Sequence, residues 1–267
     1  MNPQPALLPS PYAAPRISRR FWPVLQRNWL VWRKLAVPSM IGNIAEPLIT
    51  LVAFGYGLGA LVGTVQGLPY IQFLASGSVA TSAAIAATFE ALYSAYSRMA
   101  VQKTWDSIMN APVALDDIVF AEMLWAATKS VFSVGAILVV IFLLGISRQW
   151  TMLLALPVLG CVGITFASIA LVFNALAKGY DFFTYYFTLV LTPMTFLSGV
   201  YFPIEQLPLW LQRVSHVLPL TSAVELVRPL VLGHAPERVL QPALTLAAYA
   251  VVGYFTALVL TRRRFFG

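Results

Sequence analysis

Six apolar runs recur along this chain, each close to the ~20 residues a helix needs to cross the hydrocarbon core of a bilayer. They cover about 37–61, 70–96, 118–144, 152–176, 182–200 and 243–261. A soluble fold of 267 residues has no use for so many. Composition agrees, because hydrophobic residues make up 59% of the chain and charged residues only 10%. Soluble domains carry about 25% charge, and a mean hydropathy of +0.78 over the full length places the excess in more than one buried core. The expected fold class is therefore an all-α membrane protein with six transmembrane helices.

Charge orients the spans. Arg16, Arg19, Arg20, Arg27, Arg33 and Lys34 precede the first run, and Arg262, Arg263 and Arg264 follow the last. With both ends inside, the second and fourth connections add Arg98, Lys103 and Lys178 to the inner side. The outer side receives Arg148, Arg213, Arg228 and Arg238, and Lys129 is embedded. Twelve cations inside against four outside satisfy the positive-inside rule. The net charge of +7 is thus spent at the membrane surface, and a nucleic-acid partner is not expected. Residues 1–15 are rich in proline, lack a signal-peptide pattern and give a disordered cytoplasmic leader over 1–18. Residues 19–35 alternate aromatics and cations, with Trp22, Leu25, Trp29 and Trp32 at helical spacing. Such a helix belongs in the headgroup layer, although the same stretch also reads as the inner end of the first span.

Two connections within the 36–267 transmembrane unit look built rather than slack. Residues 103–110 predict a short cytoplasmic helix, stopped by Pro112, with Trp105, Asp106 and Asp117 as an exposed docking surface. Residues 201–235 hold short apolar segments between prolines, too short to span, and predict a re-entrant or outer helical hairpin.

Groups for catalysis are scarce. No phosphate-binding G-x-x-x-x-G-K-[ST] loop occurs. Gly55, Gly57 and Gly59 suit close helix packing, His216 and His234 read as polar surface, and Cys161 stands alone in an apolar run. No metal-ligand spacing is found. The intramembrane charges say more: Glu46, Glu90, Glu122 and Lys129, the last two on one face of a helix two turns apart. A mid-bilayer charge costs about 2.5–3.5 kcal/mol on insertion scales, so these side chains face a bundle interior or a wet path. Two readings stay open: structural pairing of Lys129 with Glu46 or Glu90, or a lining of the substrate route. The aromatic stretch 180–190 likewise fits an interfacial belt or a stacking surface for a sugar or amphiphile.

The blocks ATFEALYSAYSRMAVQKTWDSIMNAPVALDDIVFAEMLWAATK (87–129) and YDFFTYYFTLVLTPMTFLSGVYFPIEQLPLWLQRVSHVLPLTSAVELVRPLVLG (180–233) resemble the ABC-2 permease family, in particular its nodulation protein J group. The second block carries the family's C-terminal signature in Phe196-Leu197-Ser198-Gly199, Phe202-Pro203, Leu207-Pro208 and Leu218-Pro219-Leu220. The resemblance implies the ABC-2 exporter fold in a bacterial inner membrane, as a homodimer with two separate ABC ATPase subunits that bind the ATP and magnesium. It implies that the 103–110 helix is the coupling helix, with Lys103, Thr104, Trp105, Asp106 and Met109 at the ATPase contact and Trp105 and Asp106 foremost. Nodulation-type members export lipo-chitooligosaccharides; other relatives handle polysaccharides, drugs or lipids. This chain would then be a transport subunit rather than an enzyme. The rival classes are an intramembrane acyl- or glycosyl-transferase using Glu46, Glu90 or an outer histidine, and a proton carrier using the buried carboxylates.

Overall fold

A computed structural model describes residues 11–267, with the side chains of Asn43, Ile44 and Glu46 outside the described set. Residues 1–10 of the expected leader also lie outside it. Helix α1 (Phe21–Trp32) passes through a tight turn at Arg33–Leu35 into α2 (Ala36–Val52), then a π-type turn (Ala53–Leu58) and α3 (Gly59–Val62). No loop separates the amphipathic helix from the first span, and Phe21–Val62 is one helical run of 42 residues. The expected elbow is a bend instead. Leu35 leaves helical geometry (φ −118°, ψ 14°), and Pro38 has no N–H to return to the Lys34 carbonyl.

A two-stranded turn follows, β1 (Thr64–Val65) against β2 (Leu68–Pro69), closed by Gln66 and Gly67 at φ 52° and 78°. Positive φ at both central residues matches the right-handed twist of a tight hairpin. Helix α4 (Tyr70–Phe89) continues through π-type turns at Glu90–Ser94 and Ser97–Val101, so this run ends at Val101 rather than at 96. Next come α5 (Thr104–Met109), α6 (Leu115–Leu143), and α7 (Ala155–Leu176) with its lead-in turn at Trp150–Leu154. Then α8 (Asp181–Tyr186), a π-type turn (Phe187–Leu191) and α9 (Thr192–Leu197) form a single run of 17 residues. After a short turn at Ile204–Gln206 come α10 (Leu209–Val217), α11 (Pro219–Leu232) and α12 (Leu240–Phe266).

Five helical runs among the described residues are long and apolar enough to cross a membrane. The expected fifth span, 182–200, is not one of them. Its helix stops at Leu197, before Gly199 at φ 72°, and at 1.5 Å per residue it is about 25 Å long. The Pro-marked region that follows is helical in pieces. Pro208 flanks the start of α10, Pro219 opens α11, and Pro229 sits inside α11.

Helix α4 is the axis of the bundle, packing against α6, α7, α11 and α2. Its sequence YIQFLASGSVATSAAIAATF is rich in Ala, Ser, Gly and Thr, and Ala75, Ala80, Ala83, Ala84 and Ala87 are fully buried. Small side chains let backbones approach where lipid supplies no hydrophobic drive. Helix α7 repeats the device. A Cβ on Gly163 would stand 2.9 Å from the Ala127 Cα on α6, and one on Gly253 of α12 would stand 3.2 Å from the Ile169 nitrogen. Gly55 similarly admits Ile71, whose Cγ1 would lie 2.8 Å from an added Cβ.

The connections sort to two ends. At one end, Tyr70 donates to the Tyr201 carbonyl (3.2 Å), Ser147 to the Val231 carbonyl (2.6 Å) and Thr151 to the Leu230 carbonyl (2.7 Å). At the other, the C-terminal tail meets the N-terminal segment and the start of α6. Arg262 Nε donates to Asp116 Oδ1 (2.9 Å), and its remaining nitrogens reach Asp116 Oδ2 and the carbonyls of Pro11, Ala13 and Ala14. Arg16 N donates to Asp116, and Ser18 donates to Asp117 through both its N–H and its hydroxyl. Residues 11–18 are therefore held, where a disordered leader was expected. Asp117 is buried (1% exposed) rather than a docking residue. Arg264 caps α7, donating to the carbonyls of Asn174, Ala175 and Ala177, the cation-to-C-terminus pairing that helix polarity favours.

Gly163→Ala is expected to lower thermal stability in detergent by about 1–3 kcal/mol through overpacking. Gly57→Ala, whose Cβ meets nothing within 4 Å, should leave it equal or higher. Equal melting of both variants would contradict the close α6–α7 approach.

Candidate functional site

Near the end that holds the tail, two carboxylates, two cations and two indoles form one buried network. Glu90, 3% exposed, begins the π-type turn after α4, and Glu122, 1% exposed, lies on α6. Arg98 bridges them: its Nη2 lies 2.9 Å from Glu90 Oε1 and its Nε donates to Glu122 Oε1 at 2.9 Å. Lys129 Nζ closes on Glu90 Oε2 at 2.6 Å. Trp125 Nε1 donates to Glu90 (2.9 Å) and Trp105 Nε1 to Glu122 (3.3 Å). Formal charge is balanced, and each carboxylate receives several donors, the condition under which buried ions are tolerated.

Of the two partners expected for Lys129, Glu90 is paired with it, and the side chain of Glu46 lies outside the described residues. Arg98 was missed as a network member because it read as a cation of the inner connection. The π-type turns hold more residues per turn than an α-helix, and they bring Arg98, eight residues on, back to the Glu90 side. No hydropathy pattern announces such a turn; the Glu-x₇-Arg spacing itself was the available sign.

Helix α5 is the second component. Lys103 enters it in a left-handed conformation (φ 51°, ψ 32°). Trp105 is not exposed as expected. It is 1% exposed, stacks near Phe265 of α12 with ring centroids 6.1 Å apart, and bonds Glu122. Its ring is thus an anchor holding α5 onto the bundle. Asp106 is exposed, together with Lys103, Ser107 and Asn110, while Thr104, Ile108 and Met109 are half-buried.

A third feature is a groove between α2, α4 and α6 with a cavity of about 220 Å³. Hydroxyls of Thr50, Ser78, Thr81, Ser82 and Ser133 line it, beside Phe89 and Pro47. Ser78 and Thr81 donate to the carbonyls of Leu74 and Gly77 in their own helix, which leaves their oxygen lone pairs for a visiting donor. Glu46 precedes Pro47, but its side chain lies outside the described residues.

The signature residues serve the backbone. Buried Ser198 donates to the Met194 carbonyl (2.6 Å), and the Gly199 carbonyl accepts from Arg228 (2.6 Å), whose guanidinium lies 4.0 Å from the Phe73 ring centre. Pro203 precedes the turn at Ile204–Gln206. The aromatic stretch is neither belt nor free stacking surface over its whole length. Phe183 and Tyr186 are buried, and Tyr180 and Phe183 pack on Tyr93 and Tyr96 with centroids 5.1–6.0 Å apart. Tyr185 is exposed. His216 stands 3.9 Å from Glu225, both side chains open to the surroundings.

The sequence that builds this arrangement is similar to known proteins over most of its length. The family model described as "ABC-2 type transporter" matches residues 19–232. The chain belongs to the ABC-2 type transporter family. Nodulation protein J of Rhizobium leguminosarum bv. trifolii is 45% identical over 252 residues, 94% of this chain and 96% of that protein. Nodulation protein J of Rhizobium meliloti (strain 1021) is 46% identical over 241 residues, 90% of this chain and 92% of its own. The inner membrane transport permease YadH of Escherichia coli (strain K12) is 25% identical over 211 residues, 76% and 81% of the two chains. As an ABC-2 family member the chain is a transport permease component, of a kind that works with an ABC ATPase.

Because Arg98 serves both carboxylates and Lys129 only one, Arg98→Gln should cost about 3 kcal/mol or more of stability, and Lys129→Gln less. Thermal melting of the two purified variants checks this order, and the reverse order would contradict the bridging role of Arg98.

Proposed function

We propose that this chain is the membrane-spanning half of an ATP-driven exporter, crossing the bilayer six times with both termini in the cytoplasm. The sixth crossing is the α8–α9 run, with α10 and α11 as a re-entrant hairpin on the outer side. Two copies form the permease, and two separate ABC ATPase subunits dock on α5 and bind the nucleotide and magnesium. The substrate is an amphiphile of the lipo-oligosaccharide class. Its sugar hydroxyls donate to the acceptor oxygens of the groove between α2 and α4, and its acyl chain stays in lipid.

The observation that carries this reading is the anchoring of α5. Asp106 and Lys103 face outward while Trp105 ties the same helix to Glu122 and Phe265. A push on the outer face of α5 therefore reaches α4, α6 and α12 through one indole. Nucleotide binding by the partner biases two arrangements of the bundle, and the substrate leaves because its affinity differs between them.

The test is co-reconstitution with the partner ATPase. Asp106→Lys is expected to lower stimulated ATP hydrolysis and export about tenfold or more, since like charge across an interface costs several kcal/mol, with membrane insertion unchanged. Unchanged stimulation and export would remove α5 from the docking surface. Glu90→Gln, which weakens the network, should impair export more than Glu237→Gln, at an exposed position between α11 and α12. Equal effects would leave the network a purely structural device.

A further inference from the structure

A second cavity, about 240 Å³, lies where α1 and the bend at Leu35 meet the end of the α4 run and α6. Its lining carries three cations, Arg27, Arg98 and Lys129, against one carboxylate, Glu90. Arg98 and Lys129 are held by Glu90 and Glu122, and counting Glu122 still leaves one positive charge over. That surplus belongs to Arg27, whose hydrogen bond among the described residues goes to a neutral group, Asn28 Oδ1, at 3.1 Å. Asn28 lines the same cavity, is 3% exposed, and its Nδ2 has no hydrogen-bond partner among the described residues. A buried amide donor left unpaired is costly, and an unpaired cation beside it specifies the missing group as an anionic acceptor. The rest of the lining includes Val31 and Trp32, apolar surface continuous with a helix that exposes Trp22 and Trp29. An amphipathic helix with exposed Trp and a basic flank lies at headgroup level.

We propose that this cavity is a binding site for a phosphate oxyanion presented by the headgroup of an anionic phospholipid of the cytoplasmic leaflet. Arg27 and Asn28 Nδ2 donate to the phosphate oxygens, and the acyl chains leave along Val31 and Trp32. The lipid fills the angle between α1 and the bundle, beside the Glu90–Arg98 pair, and fixes the orientation of α1. The inference uses the membrane-embedded reading of the chain but not its exporter role.

The experiment is native mass spectrometry of the full chain released from nanodiscs of equal phosphatidylglycerol and phosphatidylcholine, with no ATPase present. A second arm adds inorganic phosphate to delipidated protein and reads the thermal shift. The wild type should retain phosphatidylglycerol in preference. Arg27→Gln and Asn28→Leu should each reduce retention about tenfold, the loss expected for one charge-assisted hydrogen bond. Arg27→Lys, which keeps the charge, should retain most of it, and Arg148→Gln, at an exposed position in the α6–α7 connection, all of it. A thermal shift by inorganic phosphate that depends on Arg27, without lipid retention, would support the oxyanion site and assign it to a soluble ligand. Retention indifferent to Arg27→Gln and Asn28→Leu, with no Arg27-dependent phosphate shift, would overturn the proposal.

Discussion

The guanidinium of Arg98, lying between Glu90 and Glu122, is the contact on which the tail-bearing end of this bundle depends. A carboxylate buried without a cation costs several kcal/mol, and two such groups on neighbouring helices would force α4 and α6 apart. With Arg98 and Lys129 in place the same groups join the helices, and the indoles of Trp105 and Trp125 occupy remaining acceptor positions. Close packing elsewhere comes from small residues. This end is held by charge, and it is here that α5, the start of α6 and the C-terminus of α12 meet.

That division of labour suits a transporter. Ala, Gly and Ser interfaces along α4 and α7 are thin and numerous, so helices approach without large interlocking side chains. A polar network, by contrast, has discrete partners that can exchange. Helix α5 is joined to that network at Glu122, through the Trp105 indole. The clamp of Arg262 on Asp116 and residues 11–18 braces the adjoining end of α6.

The apolar runs, the basic ends and the short helix at 103–110 were legible in the sequence, because length, hydropathy and proline act locally. Which residues of α5 face outward was only half legible. Composition marks Trp105 and Asp106 alike as candidates, and only tertiary contacts show that Trp105 turns inward to Phe265 while Asp106 turns out. Arg98 and Arg262 were read as headgroup charges, since an arginine at a span end looks the same whether it snorkels or pairs with a buried carboxylate. The 17-residue run at α8–α9 fell short of the expected span because the positive φ of Gly199 has no hydropathy signature. The hydroxyl groove was not anticipated at all. Its residues are scattered over α2, α4 and α6, and each alone is an ordinary small residue of a membrane helix.

The permease reading depends on which side of the membrane each end of the bundle occupies. The most direct measurement is accessibility labelling in a Cys161→Ser background, with single cysteines placed at Gln66, Lys103 and Arg264. Positions 103 and 264 should react with an impermeant maleimide only when the cytoplasmic face is open, and position 66 only from the outside. Labelling of 103 and 264 from opposite faces would contradict the six-crossing permease and the docking of an ATPase on α5.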